Sequence, residues 1–372
     1  MFSRIAILLP IFVLPTMLVA ADTFSSGQPA IAWTAEQVSR TAAANSTSAN
    51  LLDSERSAVL ASISRDDPKQ CAQAALLQNV QRNFVCYERS RSAAQALTLY
   101  YQLIHLESQQ RLLDDADQTL SQLLRMADKA DELGLKDGNQ SALDKRRLQV
   151  HDQRAEADGG NAKLRIGLGE LLGRPFHQMV DAEFVDAASD DIRQSFSVDQ
   201  WIAIALSDRC DIKAIETLCS SLNENSLPAA RQLLGSLQPG LGLAIALASR
   251  QPLLASLHSD DRAAAELCHR REQCARLLAA RRAQVESQVR IAFIDHQTAL
   301  SRLDIARQIA EIDLQQTAQS LKAIELDQAK PGAELLAKLE HLQTQGQVLE
   351  RQSARAVAYV KLLEAAGAII GQ

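Results

Sequence analysis

Six cysteines are the residues of this 372-residue chain best suited to covalent chemistry. They are unevenly placed: Cys71 and Cys86, then Cys210, Cys219, Cys268 and Cys274. In an oxidising compartment such a set is disulfide material. If 205–225 and 262–280 are antiparallel helices, partners share a roughly constant index sum. That makes Cys219 with Cys268, and Cys210 with Cys274, the candidate bridges; buried thiols are the alternative, because spacing alone does not fix connectivity. Cys71 and Cys86, if on one helix, stand about 22 Å apart and cannot join each other. Cys268-His269 with Cys274 completes no zinc-ligand spacing, so no metal is expected. The seven histidines are dispersed, and His105, His296 and His341 fall at surface or interface positions of helices. Gly167-Leu168-Gly169 matches part of a dinucleotide fingerprint, but it ends a helix with no strand before it. Small residues for close helix packing explain it better. With no nucleophile–base motif and no phosphate loop, the expectation is a non-enzyme without cofactors.

The elements that carry these residues are helices. Hydrophobic residues make up 47% of the chain but aromatics only 4%, with 15 Gly and 9 Pro, a composition that counts against strands and against loop-rich enzymes. A formal net charge of −6 argues against nucleic acid as a partner. Arg4, the apolar run Ile5 to Val19 and the small residues Val19-Ala20-Ala21 predict a cleaved export signal over Met1 to Ala21. No later run of about 20 apolar residues predicts a membrane-spanning helix.

An internal repeat organises the rest. Leu168-Gly169-Glu170-Leu171-Leu172-Gly173 is echoed by Leu362-Leu363-Glu364-Ala365-Ala366-Gly367, and the same offset of 194 (362 − 168) sets Leu97-Thr98-Leu99-Tyr100 over Ile291-Ala292-Phe293-Ile294. Thr34-Ala35-Glu36-Gln37-Val38 and Ser197-Val198-Asp199-Gln200-Trp201 open the two copies, 163 apart (197 − 34). The expected division is a signal at 1–21, a first repeat at 22–180 with a long hairpin at 90–173, and a second repeat at 181–372 with a long hairpin at 281–371. The hairpins turn at Gly134 to Asn139 and at Lys330-Pro331-Gly332. At ~100° per residue, Leu303, Ala306, Ala310, Leu314, Thr317 and Leu321 form one apolar stripe, and Ile305, Ile309 and Ile312 form a second about 150° away. Polar residues fill both sectors between them. Two apolar edges and two wet faces describe a helix in a single-layer wall.

Trp201-Ile202-Ala203-Ile204-Ala205-Leu206-Ser207-Asp208-Arg209-Cys210-Asp211-Ile212, the ending Leu171-Leu172-Gly173, and Gln343 to Gly367 with Ala354, Ala358, Tyr359 and Leu362 resemble the TolC-like outer-membrane efflux proteins. The resemblance covers about Thr34 to Gly371. It implies a homotrimer whose hairpins form a periplasmic α-helical tunnel, partnered by a periplasmic adaptor and, through it, an inner-membrane transporter. It also implies an adaptor-docking tip, which falls here on Leu133, Gly134, Leu135 and Gly332. In that family the pore narrows just beyond the tips, at positions held here by Asp144 and Glu334, with Glu340 a solvated helix charge. Acidic groups ringed in a narrow aperture repel anions and attract cations.

The family also inserts through a β-barrel to which each protomer gives four strands. Here only 237–257, with Leu241, Leu243, Ile245 and Leu247 alternating with small residues, offers a strand pattern. The expected fold is therefore all-α: long antiparallel hairpins in two tandem repeats, with at most a short β-hairpin remnant near 237–257. The expected function is that of an outer-membrane or periplasmic efflux-channel component. The alternative is an exported coiled-coil scaffold or interaction protein derived from that family without a pore.

Overall fold

The computed structural model describes residues 32–61, 67–132, 140–185, 196–237, 259–325 and 332–369. The expected signal at 1–21, the tip residues Leu133, Gly134 and Leu135, and nearly all of the 237–257 segment lie outside them. The described chain is built from helices α1 (Ala35–Asn45), α2 (Thr47–Ala61), α3 (Pro68–Glu132), α4 (Gln140–Leu172), α5 (Phe176–Val180), α6 (Val198–Asp208), α7 (Cys210–Ser220), α8 (Leu227–Leu237), α9 (Ser259–Glu325) and α10 (Ala333–Ala366). Strands β1 (Ala32–Trp33) and β2 (Glu183–Phe184) pair in parallel, Ala32 opposite Glu183 and Trp33 opposite Phe184. The class is all-α.

Helices α3 and α9 run for 65 and 67 residues, close to 100 Å each at ~1.5 Å per residue. Both begin 22 residues before the expected hairpin starts (90 − 68 and 281 − 259). For α3 the reason is local. Pro68 suits a first helical position, and the Asp67 carboxylate accepts the backbone N–H of Lys69 at 2.8 Å and of Gln70 at 3.4 Å.

Side by side, the four long helices lie in the order α4, α3, α10, α9: α4 packs on α3, α3 on α10, and α10 on α9. Ala94 and Leu97 of α3 meet Val360 of α10 at the central seam. The short helices gather toward the starts of α3 and α9. Helices α1 and α2 lie on α3, α6 on α9, α7 on both, and α8 on α3.

Two equivalent cores fasten the short helices to the hairpins. In the first, Val38 and Ala42 of α1 pack on Ala96, Tyr100 and Leu103 of α3 and on Leu168 and Leu172 of α4. In the second, Trp201, Ile202 and Ala205 of α6 pack on Val285, Val289 and Ala292 of α9 and on Leu362, Leu363 and Ala366 of α10. Thr34 and Ser197 each close a capping box, with Gln37 and Gln200 at the third position. Gly173 and Gly367 end the returning helices with φ of 64° and 68°. Beside Gly173, the Asn45 amide donates to the Leu172 carbonyl at 2.6 Å; beside Gly367, the Arg209 guanidinium donates to the Ala365 carbonyl at 2.8 Å.

One expected equivalence is corrected. Tyr100 is fully buried, whereas Ile291 and Ile294, placed over Leu97 and Tyr100 by the offset of 194, are exposed. The buried triplets 96/100/103 and 285/289/292 correspond instead at an offset of 189 (285 − 96). The ends of the returning helices keep 194, so the second hairpin carries five more residues between its two fixed points (194 − 189).

Candidate functional site

The free edges of the four-helix layer are its most unusual surface. Along α9, Ile291, Ile294, Ile305, Ile309 and Ile312 are 43–62% exposed. At ~100° per residue all five fall within about 60° of one another, on a line roughly 30 Å long. The opposite edge, α4, exposes Leu148 and Ile166. The other stripe of α9 turns inward: Leu303 and Ala306 are buried, and the Thr317 hydroxyl contacts the Ala337 carbonyl of α10 at 3.5 Å. Leu314 departs from expectation, being 48% exposed. The 317–337 register sets it level with Glu340, itself exposed, so α10 offers no apolar cover there.

Of the expected tip residues, Gly332 is described. It precedes α10 with φ of 88°, which an L side chain tolerates poorly, and a Cβ built on it would lie 3.3 Å from Leu123 Cδ2 of α3. Gly332 therefore stands level with a point nine residues before the end of α3 (132 − 123). Asp144 and Glu334 are exposed on different helices, α4 and α10, and Glu340 is exposed further along α10. Asp144 shares a shallow cleft with Arg125 and Arg147, so its surroundings are of mixed charge. Glu334 lies in the first turn of α10, where a carboxylate suits the helix dipole.

The cysteine pairings are corrected. Cys210 is bonded to Cys86 of α3, with Cα atoms 6.0 Å apart, and neither Cys219–Cys268 nor Cys210–Cys274 forms. Two things defeat the index-sum estimate. The 205–225 segment is not one helix: it breaks at Arg209, and α7 leaves at a new angle with Cys210 facing α3. The register of α7 on α9 also differs. Arg281 binds Asp211 and the Arg271 guanidinium donates to the Leu222 carbonyl at 3.2 Å, giving sums of 492 and 493 (211 + 281 and 222 + 271). The expected pairs summed to 487 and 484.

The break at Arg209 is held by a buried ion cluster. Arg209 Nε and Nη2 donate to the two oxygens of Asp211 at 3.0 and 2.8 Å, and Arg281 Nε and Nη2 donate to Asp211 Oδ2 at 2.9 and 2.5 Å. The Ile212 N–H adds a further bond at 3.0 Å. Burial pushes the Asp211 carboxyl up, but Arg209 and Arg281 outweigh it and hold it below the ordinary carboxylate value. Arg209 Nη1 also reaches Gln288 of α9 at 3.0 Å. Beside the cluster, a cleft of about 510 Å³ is lined by Cys86, Arg91, Asp208, Lys213 and Glu364 among others. Burial raises the Glu364 carboxyl despite Arg91 and Arg209. The cleft joins charges of both signs.

His105 and His296 face α10. Burial lowers both imidazoles, with Glu350 near His105 opposing that shift and Arg355 near His296 adding to it. His296 stacks at 5.3 Å from Tyr359. The arrangement is one of packing.

No family model and no curated protein sequence matches the chain. Solved structures do. The Campylobacter jejuni CmeC outer membrane channel superposes with a TM-score of 0.64 at 10% identity, covering 96% of this chain and 94% of its own. The outer-membrane channel OprN gives 0.65 at 11% identity, covering 90% of each chain. The Vibrio cholerae outer membrane protein VceC gives 0.59 at 14% identity, covering 80% of this chain and 75% of its own. The fold is TolC-like. Sequence reasoning missed Ile291 and Ile294, although their angular sector with Ile305 was available to find them. It also missed the Asp211–Arg281 bond, for which no local signal exists.

Proposed function

We propose that this chain is one protomer of a homotrimeric helical tunnel in an efflux pathway, located at the outer membrane or in the periplasm. It would work with a periplasmic adaptor and an inner-membrane transporter. The observation that carries this reading is the single layer α4–α3–α10–α9 with an apolar strip on one edge and apolar residues on the other. A layer with unlike edges joins head to tail, and such contacts close into a ring when the rotation between copies closes, which is the arrangement proposed for three copies. Three copies supply twelve staves; at an interaxial spacing of ~10 Å they make a ring about 38 Å across, with a lumen of ~28 Å. Two copies would leave only about 15 Å. The fold shared with CmeC and OprN, each described as an outer membrane channel, supports the same reading.

On this reading Leu133, Gly134, Leu135 and Gly332 form the adaptor-docking tips, and Asp144 and Glu334 narrow the pore. Arg125 and Arg147 temper the anion repulsion expected of Asp144.

A second reading, an exported helical scaffold without a pore, is favoured by one observation. Where the resemblance implies barrel strands, Leu76 and Val80 of α3, Ala214 and Leu218 of α7, Ala230 and Leu234 of α8 and Cys274 of α9 form a helical core. Among the described residues the only strands are β1 and β2, and no helix is long and apolar enough to cross a membrane. Membrane fractionation followed by planar-bilayer recording separates the two. Outer-membrane retention with discrete conductance steps supports the channel. A soluble periplasmic species without conductance supports the scaffold.

A further inference from the structure

Two sulfurs outside the Cys86–Cys210 bridge meet in the core at the α7 end of the molecule. Cys274 of α9 is fully buried there, and Cys219 of α7 packs against the same cluster while remaining partly exposed. Their juxtaposition follows from the helix register. The Asp211–Arg281 and Leu222–Arg271 contacts bracket the pair at sums of 492 and 493, and 219 with 274 gives 493. Cys219 thus lies on the contact line between two fixed points, three residues before Leu222, opposite a residue three after Arg271. The exposed Cys268 lies six residues (274 − 268) off that line, between one and two helical turns.

We propose that Cys219 and Cys274 are a dithiol site that closes to a second disulfide, so that α7 is tied at its start to α3 and near its end to α9. The two thiols are within hydrogen-bonding reach of each other, a contact that lowers the Cys219 pKa and, together with burial, raises that of Cys274. The half-exposed Cys219 is therefore the thiolate that meets an external oxidant, and the buried Cys274 is the resolving thiol.

The oxidant is a disulfide, either a small-molecule one such as oxidised glutathione or that of a thiol-exchange protein. Cys219 thiolate attacks one of its sulfurs, forming a mixed disulfide and releasing the first thiolate. Cys274 then loses its proton and attacks Cys219 Sγ, forming the intramolecular bond and releasing the second. The two cysteines give up two electrons and two protons, and the acceptor disulfide becomes two thiols. No other redox partner is needed.

The test uses the full chain equilibrated with oxidised glutathione, then denatured, alkylated and digested without reduction. The expected result is a peptide pair linked through Cys219 and Cys274, and a loss of two alkylated thiols relative to protein held in mild reductant that spares Cys86–Cys210. Cys268→Ser should leave the linked pair unchanged, and Cys274→Ser should abolish it. Should a serine variant not fold, mapping of the unaltered chain decides alone. Recovery of Cys219 and Cys274 both alkylated after equilibration, or a Cys219–Cys268 linkage in their place, overturns the proposal.

Discussion

Ile309→Asp places a carboxylate at the middle of the exposed strip on α9, and its effect on assembly is calculable. Each of the five isoleucines retains about half of its surface in one copy. Fully burying such a side chain is worth about 1.5–3 kcal/mol, so covering the remaining half contributes ~1 kcal/mol each and about 5 kcal/mol per edge. Association opposes this with an estimated 4–15 kcal/mol, so the margin rests on Leu148, Ile166 and on ring closure together. Replacing Ile309 by Asp removes ~1 kcal/mol and adds a desolvation penalty of a few more. A net loss of about 3 kcal/mol weakens each contact roughly 150-fold. Sedimentation velocity over a hundredfold concentration range, in the detergent used for extraction, should find a trimer for the unaltered chain and a monomer for the variant. Helical content should not change. Glu311→Gln, on an exposed polar sector of the same helix, is the control. A variant that kept the parent mass at the lowest concentration would show that the strip is not an assembly edge, and the tunnel would lose its support.

Further outcomes concern the buried ion cluster that clamps the break at Arg209 and the titration of buried groups. Asp211→Asn leaves the Arg209 and Arg281 guanidiniums facing each other without their shared carboxylate, and should lower stability by about 3–5 kcal/mol in urea denaturation; a change under 1 kcal/mol refutes the clamp. Gly367→Ala, whose Cβ would lie 2.8 Å from Arg209 Cγ at a φ of 68°, should cost about 2–3 kcal/mol by the same assay, and a silent substitution would contradict that packing. Stability should fall in two stages on acidification. His105 and His296 have lowered folded values, so the unfolded chain takes up their protons first and stability declines from about the ordinary value of 6.5 downward. Asp211, held below its ordinary 3.8, adds a second loss as pH falls through that region. Glu107 and Glu364, raised by burial, oppose the decline. A flat profile from pH 7 to 5 in the unaltered chain, and an identical one in His296→Gln, would refute the histidine part.

Helix type and several helix ends were legible because apolar periodicity, capping residues and helix-ending glycines are local signals, whereas the 22 extra residues at the start of each long helix were not. Thr34 with Gln37, Ser197 with Gln200, and Gly173 with Gly367 each announce themselves within a few residues. The inward and outward stripes of α9 were legible for the same reason. What escaped was register. The shift of five residues at Tyr100, the exposure of Leu314 and the partner of Cys210 all depend on how one rod slides along another, and an index sum carries an error of a turn or more. Cys86–Cys210 joins helices 124 residues apart, across a contact between the two halves that neither half signals alone. The Arg209–Asp211 pair stood in view as part of a resemblance, but its buried clamp needed Arg281 from a distant helix.

The level of Gly332 beside Leu123 has a consequence for whatever caps the far end. Helix α3 continues nine residues past that point, some 14 Å. In the proposed three-copy ring the mouth is therefore notched rather than flush, with three merlons made by the end of α3 alternating with three embrasures at the level of Gly332. A docking protein with a blunt end would strike only the merlons, whereas one with fingers of matching height would seat in the gaps and read the two turns as different addresses.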